Sequence, residues 1–480
     1  MQVILKKPLH RNTSPSLILV IVCIGIFFGA LDQTVIYGAL ADMMPDLSIT
    51  VLELDRAAWI VIGYLIGYTF AMPLMARVSD VYGHYQIYIL SLVLFTIGSI
   101  FVALAPNFEW IVAARVLQAI GGGAVVPIAM AIVGDIFPEG RRAVPLGIIG
   151  GVVEGGAALG PFYGGGIVEI LDWRWIFWIN LPVSLIAILF ILFILSPSPR
   201  SRVRIDYLGG ILLAIGLVLV SLALYQRSEQ SHFVAYATSL WIGSVFFFIL
   251  FIFREMKFPQ PLVTLNMFRN VKFSSANITN LFVGGALIMA LVNVPLMSET
   301  ILGSSPLEGG LRLFRLTAMI GVGAVIGGFL CRQFGYRIPT ILGLVLSGVG
   351  FFFLSRWNLQ IADPEMTLHL VVCGLGFGLV VAPLATAVIE SVGENQRGIA
   401  SSLVVIMRMI GMIIGLSALT SWGVGRFYGL TAGLSLSEMI SAPEEVINLA
   451  LNLFHDFFLV SMGICFAGIL PALCLGKKEK

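Results

Sequence analysis

The sequence predicts an all-α polytopic membrane protein with fourteen spans, and three observations carry that prediction. Of its 480 residues 58% are hydrophobic and only 11% charged, with a mean hydropathy of +0.99; a soluble chain of this length needs far more polar residues to cover its exterior. The apolar residues are gathered into runs of about 20, the length that crosses a bilayer as a helix. The cations sort into alternate loops.

In order, the runs fall near 17–40, 57–76, 87–105, 110–133, 143–168, 175–196 and 207–226, then 237–254, 274–298, 312–331, 338–356, 367–389, 398–424 and 456–475. With the N-terminus placed in the cytoplasm, nineteen Lys and Arg fall in inner segments. Five fall in outer loops: Arg56, Arg174, Arg227, Arg356 and Arg426. That asymmetry follows the positive-inside rule and predicts a multi-pass protein of the cell membrane with both termini cytoplasmic.

The chain also repeats. "VSDVYGHYQIYILSLVLFTIGSIF" (78–101) is similar to "LCRQFGYRIPTILGLVLSGVGFFF" (330–353), aligning Gly83 with Gly335. "GGGAVVPIAMAIVGDIFPEGRRA" (121–143) is similar to "GFGLVVAPLATAVIESVGENQRG" (376–398). The offset divides the chain into a six-helix half (1–196), a linker with two inserted helices (197–272), and a second six-helix half (273–480). Two halves related in this way, with a path at their interface, make a transporter architecture.

Other chemistry finds little support. The net charge of +2 and the dispersed cations give no nucleic-acid footprint. Cys23, Cys331, Cys373, Cys465 and Cys474 lie in apolar runs or at their ends and read as small core residues. The five histidines show no ligand spacing, so neither a metal nor any other cofactor is expected, and no catalytic set is legible. "GLGFG" and "GVGAVIGG" lie within spans without a preceding strand, which excludes a nucleotide loop.

Four stretches carry a resemblance: "LDQTV" in span 1, "ARVSDVYGHY" between spans 2 and 3, "RVLQAIGGGA" in span 4, and "GGAALGPFYGGG" followed by "DWRWIFWINLP" across spans 5 and 6. Together with "GSSPLEGG" (303–310) they resemble the major facilitator superfamily, specifically its fourteen-span drug:proton antiporter branch. The resemblance covers nearly the whole chain and implies the major facilitator fold. Gly156, Gly160, Pro161, Gly164 and Gly165 match that branch's antiporter motif, which implies export; as residues they form a small-residue face that lets helices approach closely. Asp80 and Gly83 match a cytoplasmic gate motif, although His84 and Tyr85 stand where two basic residues are usual. Arg141 and Arg142, in the next inner loop, are the expected partners of Asp80; solvated loop charges are the alternative.

Charges inside spans demand explanation, because a carboxylate in hydrocarbon costs several kcal/mol. Asp32 lies eight residues from the outer end of its span, or ~12 Å, and Arg115 five residues from that side, or ~8 Å. The resemblance makes their spans neighbours and ties both positions to proton coupling; a permanent structural pair is the alternative. Glu154 and Arg408 share a depth near the midplane, and their offset of 254 matches the repeat. Pseudo-symmetry sets them across the central path, as an ion pair that one access state makes and the other breaks, or as two separately solvated groups.

The expected function is therefore proton-coupled export by a monomer, with protons and a small hydrophobic or amphipathic substrate as its partners. Multidrug efflux comes first and export of a lipid or lipid-linked metabolite second. A non-transporting sensor or scaffold is the alternative of another class.

Overall fold

The computed structural model describes residues 14–49, 53–138, 141, 143–194, 205–224, 233–393, 396–431 and 443–476. Among these, every regular element is helical, and fourteen helices are long and apolar enough to cross a membrane. The first half comprises α1 (Pro15–Val35, extended by a 3-10 turn over Ile36–Gly38), the short α2 (Leu40–Asp46), α3 (Leu54–Tyr82), α4 (His84–Ala103), α5 (Phe108–Ile136), α6 (Ala143–Ile170) and α7 (Arg174–Ile194). The inserted pair is α8 (Tyr207–Leu224) and α9 (Phe233–Lys257). The second half comprises α10 (Val271–Thr300), α11 (Pro306–Phe334), α12 (Arg337–Leu354), α13 (Glu365–Glu390), α14 (Arg397–Thr431), α15 (Pro443–Ala467) and the short α16 (Ile469–Ala472). The linker over 196–204 lies outside the described residues.

Local chemistry sets the ends. Ser14, Asn107, Asn270 and Ser305 accept from first-turn N–H groups of α1, α5, α10 and α11, satisfying donors that an apolar surrounding would leave bare. Gly83 (φ 106°) ends α3 and Gly335 (φ 77°) ends α11. Both stand at the same repeat position, and a side chain there would be strained.

Several spans begin or end beyond the apolar run, among them the second and the last. The second extends to Tyr82, because Arg77, Ser79 and Asp80 continue its hydrogen-bond ladder outside the hydrocarbon. The segment 437–454, which reads as an interfacial amphipathic helix, is from Pro443 onward the start of the last spanning helix; residues 432–442 lie outside the described residues.

With fourteen spanning helices, the start of the first and the end of the last lie on one face, here called the terminal face, opposite a distal face. The halves meet along two seams, α3 with α14 and α6 with α11. Helix α8 packs on both α3 and α14, one helix from each half, and α9 packs on α8. The five cysteines are free.

Candidate functional site

Asp32 on α1 and Arg115 on α5 meet directly: Arg115 Nη1 donates to Asp32 Oδ2 at 2.9 Å, and both side chains are 0% exposed. Two amides complete the carboxylate's shell. Gln118 Nε2 and Asn180 Nδ2 each donate to Asp32 Oδ1 at 2.9 Å. Gln118 sits one turn beyond Arg115 on α5 and accepts from Arg115 Nη1 at 2.7 Å through Oε1; Ser99 Oγ on α4 accepts from Gln118 at 2.8 Å. The guanidinium lies over the Tyr64 ring, 4.1 Å from Cζ to centroid, and 5.7 Å from that of Phe177. Arg115 Nε and Nη2 are buried without a hydrogen-bond partner, so those π faces and the carboxylate bear the cation.

Sequence reasoning missed Gln118, Asn180, Ser99 and Tyr64. The signal for the two amides was present, since each is a strongly polar side chain within a span and lies in a quoted motif. Ser99 and Tyr64 carry no such signal.

The second charged pair occupies a different place. Glu154 on α6 and Arg408 on α14 line one cavity between the halves, together with Gln33, Thr34, Leu287, Leu291, Met409 and Met412. Gln33 and Thr34 follow Asp32 on α1 but face this cavity, whereas Asp32 itself points into its own half. Among the described residues, no ion pair joins Glu154 to Arg408 in this state.

The antiporter-motif glycines are contact points. A Cβ added at Gly156 would lie 2.7 Å from the Phe27 carbonyl oxygen of α1, and one at Gly160 2.8 Å from that of Leu31. Gly164 meets the Val35 carbonyl in the same way. Gly165 instead meets the Pro306 carbonyl of α11, while the Pro161 carbonyl is met by Gly38 from one side and Gly310 from the other. Thr317 Oγ1 donates to the Ala158 carbonyl at 2.9 Å across the same seam. The approaches of Gly156, Gly160 and Gly164 bind α6 to α1 within the first half, and those of Gly165 and Gly310 join α6 to α11 across the seam near the distal ends of both helices.

The terminal face is different. A cavity of about 460 Å³ lies there between α3 and α5 of one half and α14 of the other, lined by Arg77, Asp80, Met130, Ser402 and Ile406. Asp80 lies 3.3 Å from His84 Nε2 and 3.9 Å from Arg77 Nη1, and His84 Nδ1 lies 2.6 Å from Asp135 Oδ2. His84 thus stands between two carboxylates. At the repeat-related place, the Tyr336 hydroxyl donates to the Glu390 carboxylate. Arg141 is exposed and forms no ion pair with Asp80 among the described residues; Arg142 lies outside them. His84 opens α4 just past the Gly83 break that ends α3, which brings it to the Asp80 carboxylate four residues back.

The comparisons follow the same architecture. A bacterial homologue of the human lysosomal transporter Spinster, solved inward-facing and unoccupied, superposes with a TM-score of 0.72 over 97% of this chain and 98% of its own, at 16% identity. A D-xylose–proton symporter superposes with a TM-score of 0.62 over 94% and 96%, at 13% identity. Among curated proteins, a triacylglyceride transporter of Mycolicibacterium hassiacum is 33% identical over 98% of this chain and 94% of its own. The Mycobacterium tuberculosis triacylglyceride transporter is 35% identical over 95% and 94%. The family model described as Major Facilitator Superfamily matches residues 22–416. With two six-helix halves around a central cavity and a family match across both, this chain belongs to the Major Facilitator Superfamily and is a membrane transporter of a small molecule.

Proposed function

We propose that this transporter exports a neutral lipid of the triacylglycerol class in exchange for protons, with its terminal face in the cytoplasm. The observation that carries the reading is the lining of the central cavity. It offers one acid, Glu154, and one base, Arg408, among leucine and methionine side chains. An acid and a base that balance each other give a cation no advantage, whereas acyl chains gain from the apolar walls and ester carbonyls from the Arg408 donors. The proteins named triacylglyceride transporters, similar over nearly their whole length, support the same class. Multidrug efflux of lipophilic cations is favoured by a carboxylate facing the path with no cation beside it; Asp32 is sealed away from the path, and Glu154 shares the cavity with Arg408.

Proton coupling rests on Asp32. It is enclosed in this state, near the closed distal end, so proton exchange belongs to the opposite access state. Burial favours its neutral form; Arg115 and two amide donors favour the charged one. Reorganising either set changes the protonation, and Gly83, Asp80 and His84 at the terminal face act as the gate that alternates with the glycine seam.

Reconstituted in vesicles, the purified protein should move labelled triacylglycerol only when a pH gradient is imposed, with accompanying proton flux. It should also be thermally stabilised by triacylglycerol and not by lipophilic cations. Stabilisation and transport of cations alone would return the reading to drug efflux, and lipid transport without proton flux would remove the coupling. The cavity pair makes its own prediction. Glu154→Gln and Arg408→Ala should each shift the inward/outward distribution, measured by distances between spin labels on the two halves. The double mutant should depart from additivity by about 0.5 kcal/mol or more. Additive shifts would mean that the two charges never pair in the cycle.

A further inference from the structure

The inserted helices carry a charge cluster of their own at the terminal face. Asp206, just before α8, is 0% exposed. It accepts from the Gly209 N–H at 2.9 Å and from Arg254 Nε of α9 at 3.0 and 3.1 Å, which ties the start of α8 to the end of α9. Glu255, the next residue on α9, is 3% exposed. Its Oε2 accepts from the Val263 N–H at 2.7 Å and so holds the segment 258–264 back against the helix end. Its Oε1 is buried without a hydrogen-bond partner. That oxygen and Asp206 Oδ2 crowd one point: a Cβ added at Gly209 would lie 2.8 Å from the first and 3.0 Å from the second. The folded-back segment sets Leu262 in the wall of the terminal-face cavity, beside Ala76 of α3, Met130 of α5 and Ile406 of α14. Gly210 of α8 approaches from behind, where a Cβ would lie 3.7 Å from Leu262 Cδ1 and 3.2 Å from the Phe70 ring of α3.

We infer that Glu255 carries a proton on Oε1 and donates it to Asp206 Oδ2, and that this proton-dependent clasp holds Leu262 in place as part of the terminal gate. Glu255 is a positioning residue, and the inference rests on the reading that the terminal-face cavity is one end of the transport path. Two carboxylates meet here, and the Arg254 guanidinium faces Asp206. An isolated carboxylate charge buried as Glu255 is buried neutralises instead of staying ionised. The proton removes that charge and gives the Asp206 carboxylate one more donor. Without it the two carboxylates repel each other: Glu255 turns to water, the Val263 N–H loses its acceptor, and Leu262 leaves the wall. The charged groups that act on Glu255 are Asp206, at the start of α8, and Arg254, its neighbour on α9. Tyr207 on α8, Lys257 on α9 and Arg269 on the 3-10 turn that follows (Leu265–Arg269) are exposed. A carboxyl held neutral supports the clasp at low pH, and its ionisation opens the clasp as the pH rises.

The test uses the full-length protein in lipid nanodiscs. It follows hydrogen exchange of the 262–263 amides, corrected for the intrinsic pH dependence of exchange, and the inward/outward equilibrium from spin labels on the two halves. Wild-type protection should fall about tenfold or more from acid to alkaline pH, as one buried hydrogen bond is lost. Glu255→Gln keeps a neutral donor and an acceptor, so its protection should persist at both ends. Glu255→Ala should abolish protection throughout and shift the equilibrium about threefold or more. Gly209→Ala, a change that a helix accepts, puts its methyl between the two oxygens and should lower protection in a folded protein. A Glu255→Gln protein that loses protection with pH as wild type does overturns the role of the proton. Protection unchanged in Glu255→Ala or Gly209→Ala overturns the clasp. A lost clasp with an unmoved equilibrium overturns its part in the gate. Ser402→Trp separates that outcome from a failure of the path reading: filling the cavity should bias the equilibrium, and no bias overturns the reading together with the inference.

Discussion

Asp32→Asn should reduce pH-gradient-driven transport to background while leaving the protein folded and able to bind substrate. Asparagine keeps the shape of the carboxylate and presents the neutral state that a protonated aspartate would present. A proton-coupled cycle must itself pass through that state, so the fold has to tolerate it. The remaining cation at Arg115 keeps Gln118 as an acceptor at 2.7 Å and the Tyr64 face at 4.1 Å. Transport and proton flux in vesicles check the first half of the expectation, and lipid-induced thermal stabilisation the second. Wild-type transport with unchanged dependence on the gradient would move the coupling role to Glu154.

Arg115→Ala should be the more damaging change to the fold. It leaves the fully buried Asp32 carboxylate with only the two amide donors and opens a void against Tyr64 and Phe177. Removing one partner of a buried pair costs about 3–5 kcal/mol. A marked fall in thermal stability is expected, and combining Arg115→Ala with Asp32→Asn should recover part of it, because no charge is then stranded. An Arg115→Ala protein as stable as wild type would show that water already compensates Asp32.

The spans were legible because hydrocarbon thickness imposes a run length that few soluble segments reach, and the loop charges then fixed their alternation. Helix ends were less so: nothing apolar marks where α3 stops, and Gly83 terminates it through backbone conformation. The Asp32–Arg115 contact could be anticipated from equal depth, a one-dimensional quantity. The completed shell could not, since Ser99, Gln118 and Asn180 converge from α4, α5 and α7 only when those helices pack. Glu154 and Arg408 were placed at one cavity by the repeat offset, and both line it without an ion pair between them. For Asp80, charge counting pointed to the arginines of the next loop, of which Arg142 lies outside the described residues, and nothing in the sequence pointed to His84, which the structure places 3.3 Å away.

The distal seam has a consequence for what it can accommodate. Where Gly38, Gly165 and Gly310 let carbonyl oxygens of Pro161 and Pro306 approach, the named contacts are chain backbone against chain backbone. At the rim of this joint the Glu169 carboxylate accepts from the Leu307 N–H at 3.4 Å across the seam; elsewhere its strength is dispersion summed over a smooth area. Such a seam has no slack: a side chain added at Gly165 or Gly310 would run into backbone of the opposite half, so both positions hold the two halves at glycine distance.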